Sequence, residues 1–191
     1  MRKVIAFMHM SLDGFVSGPD GAMDWLHHDF ETDGYLIADL QSTVDTILTG
    51  RVTYQSFASA WPAMAANPQS PKELVEMAHW MEDTLKVVFS KTLEKVEYGN
   101  SILAKGDLAE EVARLKQQPG KDLVIFGGAS IAAAFASLDL IDEYRLKLEP
   151  VVLGSGKALF SDVQARTNLK LLKTKPSNTG MLALYYERVR G

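Results

Sequence analysis

The chain contains no cysteine. That removes disulfide bonds, thiolate nucleophiles and cysteine-ligated zinc, and it suits the reducing cytoplasm. Long hydrophobic runs are absent as well. The apolar patch near the N-terminus is broken by Asp13, too early for a secretory leader of the usual form, and no stretch reaches the ~20 residues of a membrane span. Neither sign of charge dominates: 20 Lys and Arg stand against 24 Asp and Glu, a net charge of −4 without long runs of either sign. An acidic, evenly mixed chain argues against nucleic acid or an anionic membrane as the main partner, while leaving room for a local basic pocket. Linkers, internal repeats and low-complexity segments are also missing. The 191 residues therefore read as one domain, 1–191, large enough to hide roughly 70% of its unfolded surface.

What is present is organised around Leu123 to Phe135. Leu123-Val124-Ile125-Phe126 is a continuous apolar run, the pattern of a strand covered on both faces. Gly127 and Gly128 follow, then a helix of small and apolar residues from Ala129. Adjacent glycines permit positive φ and let a ligand approach the backbone, and a helix N-terminus favours an anion. The plain alternative is a tight turn between packed elements. The same order of strand, glycine and helix occurs earlier. A short strand Thr46–Thr49 leads into Gly50-Arg51-Val52-Thr53-Tyr54, where Arg51 adds charge and Thr53 a hydroxyl. A third strand, Leu85–Phe89, ends in Ser90-Lys91-Thr92. This is either a polar loop or an anion clamp at a strand's C-terminal edge, where open α/β sheets bind ligands.

The remaining elements follow from periodicity. Val4–Met10 reads as a first strand entering a long polar loop that contains Asp13-Gly14, Asp24 and Trp25. Thr32 to Gln41 has helical spacing with Thr32 as its cap. Ala60 to Ser70 reads as a loop, and Lys72–Glu82 and Asp107–Gln118 as amphipathic helices, the second capped by Asp107. Ser101–Ala104 is a short strand. Leu140 to Val152 alternates through Tyr144, Leu146 and Leu148, predicting a half-exposed antiparallel strand, and Leu169–Thr174 with Met181–Val189 predicts a closing hairpin. The expected architecture is α/β: a mainly parallel central sheet flanked by helices, with antiparallel strands at the C-terminus.

Several motifs fail. Gly154-Ser155-Gly156-Lys157 resembles the tail of a P-loop, but Ala158 stands where Ser or Thr is required. Gly127-Gly128 lacks the third glycine of a dinucleotide fingerprint. His27-His28-Asp29 holds ligand types, but adjacent residues rarely chelate together, so no metal is expected. His9 and His79 read as packing residues.

Taken in order, these segments resemble the dihydrofolate reductase-like superfamily, above all the reductase domain of riboflavin-biosynthesis enzymes and its free-standing relatives. The resemblance rests on Ser11-Leu12-Asp13-Gly14, Asp24-Trp25, Gly50 to Tyr54, Phe89 to Thr92, Gly127 to Ser130 and Glu149 to Gly156, and it covers nearly the whole chain. It implies an NADPH-dependent reductase acting on a small heterocyclic or carbonyl substrate. Gly50, Arg51 and Thr53 would hold the cofactor's phosphates. Ser90, Lys91 and Thr92 would surround the 2′-phosphate. Gly127, Gly128, Ala129, Ser130 and Ile131 would face the pyrophosphate and nicotinamide. Asp13 is a candidate substrate-contacting or proton-handling group, with a turn role equally open, and Trp25 either walls the substrate pocket or packs. Asp29 and Asp33 both lie where a true dihydrofolate reductase carries its substrate-binding acid, and neither is singled out. The zinc deaminase half of the bifunctional enzymes has no counterpart in a chain without cysteine. A homodimer through the C-terminal strands is a further expectation. Dihydrofolate reductase proper and a dinucleotide-binding module without chemistry are the alternatives.

Overall fold

A computed structural model describes residues 1–27 and 29–190. Its core is an eight-stranded sheet in the order β5-β4-β3-β6-β1-β7-β10-β9. The strands are β1 (Val4–Ser11), β3 (Val44–Gly50), β4 (Leu85–Phe89), β5 (Ser101–Ala104), β6 (Asp122–Phe126), β7 (Glu143–Glu149), β9 (Leu169–Pro176) and β10 (Leu182–Arg188). From β5 to β7 every neighbouring pair is parallel, while β7–β10 and β10–β9 are antiparallel. The helices are α1 (Phe30–Thr43), α2 (Arg51–Ala66), α3 (Lys72–Asp83), α4 (Leu108–Gln117) and α5 (Ala129–Ser137).

The apolar runs at the centre need cover on both faces, and they have it. Val4, Ala6, Leu123 and Ile125 pack with Val112 and Leu115 of α4 and Phe135 of α5. On the other face Ile5, Phe7, Ile47 and Val124 pack with Leu36 and Leu40 of α1 and Met77 and Met81 of α3. The two central strands, β1 and β6, therefore send their following helices to opposite faces of the sheet. Neighbouring strands whose connections diverge in this way open a crevice at their C-terminal ends.

Four expectations change. The helix after β3 does not stop near Ala60. It runs to Ala66 with Pro62 inside it, because Phe57 and Trp61 pack against the face that holds Phe126 and outweigh the backbone bond that proline forfeits. The cap of α1 is Asp29, whose carboxylate accepts from the backbone N–H of Glu31 and of Thr32. Strand β7 is parallel to β1 and antiparallel only to β10. Nor is it half-exposed. Arg145, Lys147 and Glu149 on its polar side are all buried, with Arg145 paired to Asp39 of α1 at 2.7 Å and Lys147 paired to Asp33 of α1. The fourth change is a small ribbon of β2 (Phe15–Ser17) and β8 (Lys157–Ala158). At Gly156 (φ +152°) a Cβ would stand 2.2 Å from the carbonyl of Ser17, so the loop after β7 needs glycine there.

A buried ammonium closes α3. Lys86 on β4 is fully buried, and its Nζ donates to the carbonyls of Met81 (2.6 Å), Glu82 (3.0 Å) and Thr84 (2.8 Å). Burial pulls its pKa down to about 8, against the opposing pull of Glu82 and Asp83. These carbonyls belong to the group that a helix leaves unsatisfied at its C-terminus. Lys86→Met should cost about 1–3 kcal/mol in urea denaturation, because the buried acceptors lose their donor. Unchanged or increased stability would show that burying the charge costs more than capping the helix returns.

Candidate active site

The crevice lies where β6 ends and β1 continues. Strand β1 pairs with β6 only as far as Phe7 opposite Phe126, yet it pairs with β7 as far as Ser11 opposite Glu149. Met8 to Ser11 thus run on beside a gap, on whose other side β6 turns through Gly127 and Gly128 into α5. Phe7 and Phe126 stack at 5.3 Å on the floor of the α1 side.

Adjacent strands β4, β3 and β6 bring the three anticipated cofactor segments to this edge in a row: Ser90-Lys91-Thr92, Gly50-Arg51-Thr53 and Gly127 to Ile131. Gly127 and Gly128 both have positive φ, +70° and +84°. A Cβ on Gly128 would lie 2.8 Å from Oγ1 of Thr53 and 3.0 Å from Cγ2 of Ile131. The first turns of α2 and α5 therefore touch through a glycine that has no room for a side chain.

The two helix starts differ from the others. Asp29 caps α1 and Asp107 caps α4, and α3 begins behind Pro71 with Glu73 in its first turn. Neither α2 nor α5 has a side-chain cap, and among the described residues these are the two helices whose first turn carries no acidic residue. Their free N–H groups and positive ends converge without a protein anion to neutralise them. Arg51 stands exposed beside them, its Nη1 3.1 Å from Oε1 of Gln55. Ser90 Oγ accepts from the N–H of Thr92 (3.2 Å) and Leu93 (3.0 Å), folding the loop and leaving Lys91 exposed. Such an arrangement could hold a phosphate-bearing ligand: paired helix ends for an anion, exposed cations at Arg51 and Lys91, and a contact at Gly128 too tight for a Cβ.

On the β1 side of the crevice, Asp13 is occupied. Its carboxylate accepts from Ser11 Oγ (2.7 Å), the N–H of Leu153 (3.1 Å) and the N–H of Gly154 (2.8 Å). The Ser11 hydroxyl, with those backbone donors, holds it below the usual carboxylate range. It ties the turn after β1 to the loop after β7. Trp25 donates from Nε1 to Ala22 (3.2 Å) and lines a cavity of about 370 Å³ between residues 18–25 and Leu153 and Ser155. Asp29 and Asp33 are both engaged, one as the α1 cap and the other with Lys147. A larger cavity of about 510 Å³ lies at the opposite edge of the sheet, where Arg2 already pairs with Asp45.

The residue that sequence reasoning passed over is Glu149. It is completely buried, and its carboxylate meets His9 Nδ1 at 2.9 Å, His27 Nδ1 at 3.4 Å and the N–H of His27 at 3.3 Å. Burial pushes the carboxyl up, but the hydrogen bond and charge of His9, with Lys147 and the His27 N–H, outweigh it and hold it below its ordinary value. Burial pulls His9 down, against the raising effect of Glu149. A completely buried carboxylate, which needs partners to be tolerated, is the signal that marks this cluster. Among the described residues no group of three or more His, Cys, Asp or Glu is placed to hold a metal ion, and His28 of the histidine pair lies outside them.

The family model described as the RibD C-terminal domain matches residues 2–183. The Bacillus subtilis uncharacterized protein YyaP is 37% identical over 185 residues, which cover 97% of this chain and 94% of that protein. Among solved structures, a candidate riboflavin biosynthesis protein from Shewanella sp. PV-4 superposes with a TM-score of 0.75 at 28% identity, covering 98% of this chain and 99% of that one. The Thermotoga maritima diaminohydroxyphosphoribosylaminopyrimidine deaminase/5-amino-6-(5-phosphoribosylamino)uracil reductase gives 0.69 at 15% identity, over 98% of this chain and 57% of that one. Dihydrofolate reductase from Enterococcus faecalis complexed with NADP(H) gives 0.61 at 14%, over 97% and 96%. The last two share the fold.

The contact between the helix starts can be checked directly. Gly127 and Gly128 have similar positive φ, but a Cβ at Gly127 meets nothing nearer than Thr53 Cγ2 at 3.9 Å. Gly127→Ala should cost about 1 kcal/mol, the backbone term alone, and Gly128→Ala about 2–3 kcal/mol. Equal losses in urea denaturation would place Thr53 away from Gly128.

Proposed function

The chain belongs to the RibD C-terminal domain family, with a dihydrofolate reductase-like fold, and on that premise we propose that it is an NADPH-dependent reductase of a small heterocyclic or carbonyl substrate. The substrate would resemble the 5-amino-6-(5-phosphoribosylamino)uracil named for the Thermotoga relative. The observation that carries this reading is the meeting of α2 and α5, the two helix starts without cap or first-turn acid, through Thr53 and Gly128. Gly50, Arg51 and Thr53 on one side and Gly127 to Ile131 on the other would hold the pyrophosphate. Ser90, Lys91 and Thr92 would take the 2′-phosphate.

Bound there, the reduced nicotinamide would supply a hydride to a C=N or C=O carbon. The chain's own work is to seat the phosphates, to leave Met8 to Ser11 beside the reacting groups, and to keep water from them with the Phe7–Phe126 floor. We assign Asp13 to the loop it pins. A carboxylate that accepts three hydrogen bonds is a poor proton donor. Trp25 walls the substrate side. No helix of the described residues is long and apolar enough to cross a membrane, and the proposed metabolic role is cytoplasmic. A homodimer, in which a second copy covers the exposed Leu169, Leu171 and Leu172 of edge strand β9, completes the proposal. Sedimentation at a monomer's mass would remove that last part.

Saturating NADPH should raise the melting temperature by roughly 5–10 °C, since a ligand at 100 times its Kd stabilises by about 2.7 kcal/mol. No shift at millimolar cofactor would overturn the reading. Binding without NADPH oxidation across a panel of C=N and C=O compounds would leave a dinucleotide-binding module. Lys91→Ala should weaken NADPH about tenfold or more and NADH less than about twofold, because only NADPH carries the phosphate that pairs with an ammonium. Equal losses would remove Lys91 from that position.

A further inference from the structure

We propose that His9 is the proton-transferring residue of this site, presented by the buried carboxylate of Glu149, with Nε2 as the reacting nitrogen. The inference rests on the reductase reading and adds the group that reading lacks. Four observations carry it. His9 is on the part of β1 that outlasts β6, at the crevice, and its side chain faces α1 with Lys147 and Glu149 of β7. Its Nδ1 is bound to Glu149 at 2.9 Å. Its Nε2 has no hydrogen bond to any described residue, and the ring keeps 22% of its surface open while Glu149 keeps none. Last, Asp13, the candidate acid in the turn just past β1, has its carboxylate committed to the loop.

A completely buried carboxylate fixes the ring: Nδ1–H donates to Glu149, so the other nitrogen is turned outward in a single tautomer. The substrate carbon gains the hydride, and the π pair of its C=N or C=O bond passes to the heteroatom. That atom takes the proton from Nε2 of the imidazolium, the Nε2–H bond breaks, and neutral His9 is recharged from solvent through its open edge. Glu149 is a positioning residue here, and it also favours the charged ring. Lys147 of β7 opposes that charge, Asp33 of α1 supports it, and His27, from the loop before α1, shares the carboxylate. The site therefore suits a substrate whose acceptor heteroatom is basic enough to leave with the proton, an imine-like nitrogen or a ketone oxygen.

The test has a readout that needs no turnover. Long-range ¹H–¹⁵N correlation spectra of the histidine rings report the tautomer. At pH 7.5 wild-type His9 should be Nδ1-protonated, and NADP⁺ should shift its ring signals. Glu149→Gln should lose the fixed tautomer, and wild type itself carries the test if that variant does not fold. A His9 protonated on Nε2, or one unmoved by NADP⁺ that demonstrably binds, overturns the proposal. Failure of NADP⁺ to bind at all contradicts the cofactor reading instead, and the tautomer still decides for His9. With 5-amino-6-(5-phosphoribosylamino)uracil as probe, kcat/KM should fall as pH rises through a value below the usual 6.5 of histidine, because the imidazolium is lost. Glu149→Gln should move that limb to lower pH, and His9→Gln should lower kcat by about 10²–10⁴-fold with NADPH affinity unchanged. A pH profile identical in all three proteins overturns it.

Discussion

Strand β1 outlasts β6 but not β7, and the site depends on that mismatch. A parallel sheet normally closes its own backbone groups strand by strand. Here pairing with β6 ends at Phe7 while pairing with β7 continues to Ser11. The helix after β1 packs on one face and the helix after β6 on the other, so no element fills the gap. On its rims stand two bare helix starts on the β6 side, and His9 and the Asp13 turn on the β1 side.

The polar face of β7 is the price of placing α1 where it is. Arg145, Lys147 and Glu149 point into a layer that would otherwise be apolar, and burial of such groups is tolerated only when each finds a partner. Asp39 takes Arg145, Asp33 takes Lys147, and the two histidines share Glu149. The first two pairs dock the helix. The third cluster stands at the end of the row, where the strand meets the crevice and the imidazoles keep part of their surface open. Helix docking and the proposed proton transfer use the same kind of contact at successive positions along one strand.

Much of this was legible in the residues. Apolar runs such as Leu123 to Phe126 do form strands covered on both faces, and Asp107 does cap its helix. The ordered motifs led to the family. What failed to show was whatever depends on sequence-distant partners. The alternation of Tyr144, Leu146 and Leu148 suggested an open polar face because α1, which covers Arg145 and Lys147, is about a hundred residues away. Ala60 to Ser70 read as a loop because the Phe57–Trp61 packing that carries α2 on through Pro62 depends on Phe126. His9 looked like a packing residue because Glu149, which orients it, lies 140 residues further on. Sheet order is likewise a tertiary property. Three loops scattered along the chain become neighbours only because β4, β3 and β6 are adjacent.

The central claim is that the C-terminal edge between β6 and β1, rather than the larger cavity at the other edge, receives a dinucleotide. Backbone amide shifts on titrating NADP⁺ test it most directly. The account predicts the largest changes at Gly50 to Thr53, Ser90 to Thr92 and Gly127 to Ile131, with Thr46, Thr84 and Lys121 at the opposite edge unmoved. Changes centred on Thr46, Thr84 and Lys121 with the helix starts silent would contradict it.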